Sequence, residues 1–363
     1  MKVFYRNILF SIFAFLIAGT GNIFAQETQH EPAQSGEKLN VTELILEHVG
    51  DAYSWHIVTW KNKPIAVSLP VIVRGSNGEW QIFSSSHFEH GHAEYKGFSI
   101  AAEGNYKGKI VEKNASGEEV RPWDFSLTKN AVSLLMSSTL LIILILSCAR
   151  WYRRRKVEES TPKGFIGAVE LLINALVDGV IKPCIGKNYT RYAPYLLTVF
   201  FFIFLNNLLG LIPLFPGGAN VTGNIAITSV LALFTFFIVN IFGTKEYWKE
   251  ILWPNVPTWL KVPIPIMPAI EVVGMFTKPF ALMIRLFANI LAGHAIVLGL
   301  TCMIFITVSL GAALNTGMSI LSIVMTIFID VVELLVAFIQ AYVFTMLSAV
   351  FIGLSQVEPH HAK

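Results

Sequence analysis

The chain has 363 residues, 54% of them hydrophobic and only 14% charged, with a formal net charge of +3. Several apolar runs of about twenty residues accompany that composition, which marks a polytopic membrane protein and excludes an ordinary soluble domain. So small a charge gives no footprint for nucleic acid, and Cys148, Cys184 and Cys302 are too far apart for a metal-ligand spacing or a disulfide framework.

Residues 1–25 read as a signal peptide. Lys2 and Arg6 precede the apolar run Ile8–Ala18, and Ala25 supplies a small residue for cleavage. A retained first span is the alternative, but the run is short for one. Residues 26–129 are a different kind of sequence, expected to form a small β-rich extracytoplasmic domain. A polar tail reaches Asn40, an amphipathic helix is expected at Val41–Val49, and strand-like runs follow at Trp55–Trp60, Ile65–Arg74, Glu79–Ser84, Tyr95–Ala101 and Lys109–Glu112. Asn77-Gly78 is a hairpin-turn signal. His87, His90 and His92 place three imidazoles within six residues, a candidate metal site. A solvated loop beside Gly91 and the neighbouring serines is the plainer interpretation, because no fourth ligand is evident.

Ala131–Cys148 is the first membrane span. It runs into Arg150, Arg153, Arg154, Arg155 and Lys156, a cluster that belongs in the cytoplasm and so puts the preceding domain outside, in agreement with a signal peptide. Gly164–Ile181 is amphipathic, with Phe165, Val169, Leu172 and Ile173 on one side, and suits a helix lying along the cytoplasmic interface. Tyr192–Ile212 and Ile225–Phe242 are the next spans. The uncharged loop Pro213–Asn224 between them suits the outer side, and Lys245, Lys249 and Lys261 return the chain to the cytoplasm. Asn206 and Asn207 lie deep in Tyr192–Ile212, either as interhelical hydrogen bonds or as stations on a hydrated path. Pro263–Leu310 and Met318–Leu354 both exceed the roughly 20 residues of a perpendicular span, so they must tilt. Gly311–Gly317 is the uncharged outer turn between them. About five membrane helices and one interfacial helix therefore fill 130–357, and 358–363 is a cytoplasmic tail. The expected architecture is mainly α, a helical membrane bundle ending in two long tilted antiparallel helices, with the small β-rich domain in front.

The most informative stretch is Glu271–His294. Arg285 sits there with about ten mostly apolar residues on each side, too deep to snorkel to the headgroups. A guanidinium stays protonated at physiological pH and costs at least a few kcal/mol to hold at such a depth, so it marks function. At about 100° per residue, Glu271, Gly274, Lys278, Ala281, Arg285, Ala288, Asn289 and Ala292 share one small and polar face, while His294 points roughly the opposite way. Small residues let a partner helix approach closely. Pro279 should kink the helix just before the arginine.

Arg-Leu-Phe-Ala-Asn-Ile-Leu-Ala-Gly-His at 285–294, preceded by Lys-Pro-Phe at 278–280, resembles the signature of subunit a of F-type ATP synthases. Leu-Asn-Asn-Leu-Leu-Gly-Leu-Ile-Pro at 205–213 and Asn220–Asn224 are similar to the same family. The resemblance covers roughly 127–355 in layout. It implies that Arg285 is the essential intramembrane arginine, facing the carboxylates of a rotating c-ring and separating two proton half-channels, and that the last two helices wrap that ring. A peripheral-stalk subunit b is the other expected partner, beside the lipid bilayer itself. The resemblance makes Gly164–Ile181 the family's surface helix. It implies no cofactor, no catalytic residue in this chain and a place in a bacterial inner membrane. It says nothing of the long N-terminal extension.

An antiparallel hairpin pairs residues equidistant from its turn. With a turn centre near residue 313, Arg285 lies level with Gln340, and His294 lies level with Glu333. Arg285 and His294 are about 13–14 Å apart along the axis. Asp330, one turn before Glu333, adds a second carboxylate. Histidine and carboxylate groups both pass protons, so these residues form the expected floor of a path from outside. The family places a His and a Glu in these positions and a Gln beside the Arg, where Gln340 falls. Asp330 has no such counterpart, and a solvated carboxylate is an equal alternative for it. Glu271 and Lys278 lie on the inner side. A secondary transporter binding an anionic solute at Arg285 is the rival function, but no internal repeat supports it. A membrane metalloprotease would need a His-Glu-x-x-His spacing that the spans lack. A receptor or scaffold built on the outer domain would need neither ring nor stalk.

Overall fold

The computed structural model describes residues 50–60, 63–91, 93–102, 104, 106–113, 118–154, 162–212, 217–253 and 266–356. The signal peptide, the helix expected at Val41–Val49 and the tail after residue 356 fall outside the described residues. The described chain is mainly helical behind a small β region. Its contacts divide it into two compact units, one of Met1–Met136, Leu209–Ala219 and Gly299–Ile327, the other of Ser137–Leu208, Asn220–Leu298 and Phe328–Lys363.

In the first unit, β1 (Ser54–Trp60) and β2 (Lys63–Ser68) form an antiparallel hairpin with an irregularity between His56 and Val58. β3 (Pro70–Arg74), β4 (Trp80–Ser84) and β8 (Trp123–Asp124) form a sheet in the order β4-β3-β8. β5 (Phe98–Ile100), β6 (Ile110–Lys113) and β7 (Glu119–Val120) form another in the order β5-β6-β7. The single strand expected at Ile65–Arg74 is thus two strands in two sheets. Pro70 has no N–H for a ladder, and the Leu69 N–H donates to the Ser85 hydroxyl at 2.9 Å, so the chain changes sheet at Leu69. β3 alternates with period two: Val71 and Val73 are buried and Pro70 and Arg74 exposed. Val71 and Val73 meet Tyr53, Phe83, Phe88, Phe98 and Ile110 in the domain core. The hairpin expected at Asn77-Gly78 joins β3 to β4. Gly78 takes a φ of 81°, a conformation that glycine tolerates, and its N–H donates to Gly75 O at 3.0 Å. Tyr53 donates its hydroxyl hydrogen to Asp124 Oδ2. Burial first, then that hydrogen bond and the Asp124 charge, push the Tyr53 hydroxyl well above its ordinary range. His87 stacks on Tyr95 at 4.2 Å. The His90 side chain and His92 lie outside the described residues, and no metal-binding group of side chains occurs among those described.

α1 (Lys129–Arg153) begins in this unit and is fastened at its head: Lys129 N–H donates to Ala52 O at 2.8 Å, and Asn130 N–H to Asp51 Oδ1 at 3.1 Å. The turn between the last two helices also lies here. The residues expected to form it, Gly311–Gly317, are helical from Ala312 on. The reversal is confined to Ser309–Gly311, where Gly311 takes a φ of 113°. Ala312, Ala313 and Leu314 are good helix formers, and Asn315 Oδ1 accepts from the Thr307 hydroxyl at 2.9 Å across the turn.

In the second unit, α2 (Phe165–Leu176) passes through a π turn at Val177–Ile181 into α3 (Lys182–Ile185). A short 3-10 turn, Gly186–Asn188, then leads into α4 (Tyr189–Leu211). On α2, Val169 and Leu176 are buried, whereas Phe165 leaves the expected apolar face and is exposed. α5 (Ile225–Ile241) is capped by Asn224 and α6 (Lys245–Leu252) by Thr244. The two are bent by 100°. α7 (Ile266–Val308) and α8 (Ala312–Ser355) are the longest elements. Among the described residues, four stretches are long and apolar enough to cross a bilayer, or five if the bent pair is one span, which agrees with the about five that the sequence predicts. The molecule is a multi-pass membrane protein. Large side chains such as Leu146, Phe234, Val331 and Leu335 are exposed because lipid, rather than water, is their solvent. Packing inside the unit relies on small residues. Ala337, Ala341, Thr345, Ser348 and Ile352 form a buried stripe on α8, and a Cβ on Gly353 would collide with the Cys184 backbone.

Candidate functional site

α7 has two unlike sides. Leu282 and Leu286, one turn apart, are both 2% exposed and pack with Ala341 and Phe344 of α8. Ala281, Arg285, Ala288, Asn289 and Ala292 are all exposed. The sequence-predicted small and polar face is therefore the uncovered face of the helix. Among the described residues, no ion pair or hydrogen bond holds Arg285 within its own chain. Glu271, Gly274 and Lys278, further toward the start of the helix, are half-buried.

The register expected of the hairpin appears at Gly293 and Glu333. A Cβ on Gly293 would overlap Glu333 Oε1, lie 2.9 Å from Cδ and 3.3 Å from Cγ. Only a glycine lets the carboxylate occupy that place. His294 follows directly and is half-buried, as are Glu333 and, one turn earlier on α8, Asp330. The reversal centred on residue 310 and a pairing centred on residue 313 differ by a few residues, an offset between the tip of the hairpin and its body.

Gln340 is 5% exposed, and both its amide nitrogen and its amide oxygen lack a partner among the described residues. A buried amide left unpaired is costly. The adjacent amides Asn206 and Asn207, given two alternatives by the sequence, are bonded differently. Asn207 is glue: its Nδ2 donates to Ala337 O at 3.3 Å and its Oδ1 accepts from the Thr222 hydroxyl at 2.7 Å. Asn206 donates back to Phe202 O at 2.8 Å, and its Oδ1 has no partner among the described residues.

Lys278 points into a cleft lined also by Thr235, Asn240, Tyr247, Met275 and Phe351. Its Nζ lies 5.7 Å from the Phe351 ring centroid. Tyr247 donates to Asn240 Oδ1 at 3.3 Å, and Thr235 pairs with the Tyr195 hydroxyl at 2.9 Å and with Ser348 Oγ at 3.4 Å. These hydroxyls were not among the sequence candidates. The available signal is the spacing Thr228, Ala232, Thr235, Val239, a small-residue face on α5 whose members are all buried.

Residues 134–353 match the family described as ATP synthase A chain, and residues 44–125 match one described as a domain of unknown function. The chain is similar to the ATP synthase subunit a of Chlorobium phaeobacteroides, 39% identical over 284 residues that cover 75% of this chain and 79% of that one. It is similar to the ATP synthase subunit a of Pelodictyon phaeoclathratiforme, 42% identical over 66% of this chain and 68% of that one. It is also similar to the ATP synthase subunit a of an Anaeromyxobacter species, 32% identical over 91% of this chain and 73% of that one.

Proposed function

Because this chain belongs to the ATP synthase A chain family, we propose that it is the proton-translocating stator subunit a of a rotary F-type ATP synthase, with Arg285 facing the carboxylates of a c-ring between two offset half-channels. The observation that carries this is the bare guanidinium on α7: Arg285 is exposed, unpaired among the described residues, and set in a stripe of alanines that a neighbouring helix can approach. The outer half-channel ends at Asp330, Glu333 and His294. A proton delivered there neutralises a ring carboxylate. A neutral carboxyl can face lipid, whereas a charged one cannot without a cost of a few kcal/mol, so the ring advances into the bilayer. After nearly a full turn the carboxyl meets the inner half-channel beside Glu271 and Lys278 and releases its proton. Arg285 then holds the carboxylate ionised by attraction and blocks direct leakage between the two channels. Gln340 and Asn289 complete the polar surround of the arginine.

The subunit carries no catalytic step of its own; ATP chemistry belongs to other subunits. The partners are the c-ring, peripheral-stalk subunit b and lipid. The basic cluster at the end of α1 supports an N-terminal domain on the periplasmic side of the inner membrane and a cytoplasmic C-terminus, and the pattern of residues 1–25 supports a cleaved signal peptide. Replacing Arg285 by Ala tests the scheme. Proton-coupled ATP synthesis should vanish while the c-ring still copurifies, and Arg285→Lys should restore little, since it keeps the charge but loses the planar fork. ATP synthesis at the normal rate in Arg285→Ala defeats the scheme. Absence of a c-ring from the purified native complex favours the anionic-solute transporter instead.

A further inference from the structure

The outer domain carries an apolar platform that its own core does not use. In the sheet β4-β3-β8, Arg74 pairs with Trp80 on one side and Trp123 on the other, and Ile72 pairs with Ile82. Phe125 N–H donates to Ile72 O at 2.9 Å, which continues the same register one step beyond β8. Side chains two residues apart share a face, so Trp80, Ile82, Trp123 and Phe125 stand together on the face away from Val71 and Val73. They are 53%, 69%, 71% and 59% exposed. Trp80 and Phe125 touch, with ring centroids 5.7 Å apart, and the Arg74 guanidinium lies 5.8 Å from the Trp80 ring. Arg121, two residues before Trp123, is exposed as well. Contiguous apolar patches of this kind rarely face water without a partner.

The chain says what that partner is. Phe125 is four residues from the head of α1, at most about 14 Å of extended backbone, and α1 is a membrane-spanning helix. The connection is stiff. Leu127 N–H donates to Pro70 O at 3.1 Å, so the strand pairing persists nearly to the helix, and the bonds of Lys129 and Asn130 to Ala52 and Asp51 clamp the helix start onto the domain. The platform is therefore held at a fixed, short distance from the end of a transmembrane segment. Its composition, two tryptophans, a phenylalanine, an isoleucine and flanking arginines, is that of the bilayer interface, where amphipathic rings sit at headgroup level and guanidinium groups meet phosphate.

We infer that the β4-β3-β8 face of the outer domain docks on the lipid headgroup and upper acyl region of the leaflet that α1 enters, holding the domain down on the membrane. A proteinaceous partner or a second copy would bury the same rings and gives a different result in the test. The purified complex is placed in nanodiscs, and the fluorescence of Trp80 and Trp123 is obtained as the difference between the native chain and a W80F/W123F variant. The difference emission should be blue-shifted, lose most of its intensity with acyl-chain-brominated lipid, and resist aqueous iodide. Quenching by iodide puts the platform in water, and resistance to both quenchers puts it under protein; either overturns the inference. The phenylalanine substitutions fall on exposed rings and leave the core of Val71, Val73 and Phe83 intact, so the variant should retain the native fold.

Discussion

Gly293→Ala separates the two things a glycine in α7 does. In the helix interior it is a liability of about 1 kcal/mol relative to alanine, so the substitution by itself should stabilise α7. Against that stands Glu333. The added methyl would overlap Oε1 and press on Cδ and Cγ, and the obstacle is the far end of a flexible side chain, which can turn away. An off-rotamer χ costs about 1 kcal/mol, and forced repacking about 1–3 kcal/mol. The gain and the loss are of the same size, so the amount of assembled complex should change little. The position of the carboxylate changes regardless. A misplacement of about 1 Å at a reacting group costs up to about a hundred-fold in rate, and passive proton flux should fall roughly ten- to a hundred-fold. The assay strips the peripheral catalytic head from reconstituted complexes, imposes a membrane potential and follows a trapped pH dye, with copurified c-ring as the measure of assembly. Pairing Gly293→Ala with Glu333→Asp, which removes one methylene, should recover part of the flux. Wild-type flux in the single variant refutes the claim that the gap at Gly293 exists to seat Glu333.

Three other outcomes are expected. Glu333→Gln should impair proton access from outside, and unaltered proton-driven rotation in that variant removes Glu333 from the path. Asn207→Leu leaves the buried Thr222 hydroxyl without its acceptor and removes the second bond to the Ala337 carbonyl, at a cost of about 1–3 kcal/mol, seen as a lower thermal midpoint of the purified complex. Tyr53 holds its proton more tightly folded than unfolded; its contribution is complete below the unfolded value near 10 and is lost as pH rises beyond it. Limited proteolysis of the outer domain should accelerate above about pH 10 in the native chain and much less so in Tyr53→Phe, and identical pH profiles refute the assignment.

The spans were legible because a run of some eighteen apolar residues has few other destinies. Tyr192–Ile212 and Ile225–Phe242 emerge as Tyr189–Leu211 and Ile225–Ile241, and the last two long helices emerge within a few residues apart from the start of α8. Arg285 was legible for the same reason, since a fixed charge in such a run stands out. What stayed hidden depends on partners far along the chain. Leu69 ends one strand and Pro70 starts another because Ser85 takes the Leu69 N–H, and no local pattern carries that bond. Gly311–Gly317 looks like a loop by its glycines and asparagine, yet the Thr307 hydroxyl donates to the Asn315 side chain and the helix begins early, at Ala312. The different bonding of Asn206 and Asn207 rests on Thr222 and Ala337, 15 and 130 residues from Asn207. β7 and β8 are two residues each, too short for periodicity to register.

The exposure of Arg285 follows from packing elsewhere on its helix. Leu282 and Leu286 are buried against α8, and Gly293 must stay turned toward Glu333. At about 100° per residue, turning Arg285 inward to the place of Leu286 would require a rotation of one residue step. That rotation would lift both leucines out of their contacts and swing Gly293 away from Glu333, replacing it with a neighbour that carries a Cβ. Three contacts spread over about three turns thus fix one rotation of α7. On the proposed function, a charged group that does not turn inward meets its counter-charge on a neighbouring chain. The small residues around it, Ala281, Ala288 and Ala292, leave room for that counter-charge to come close.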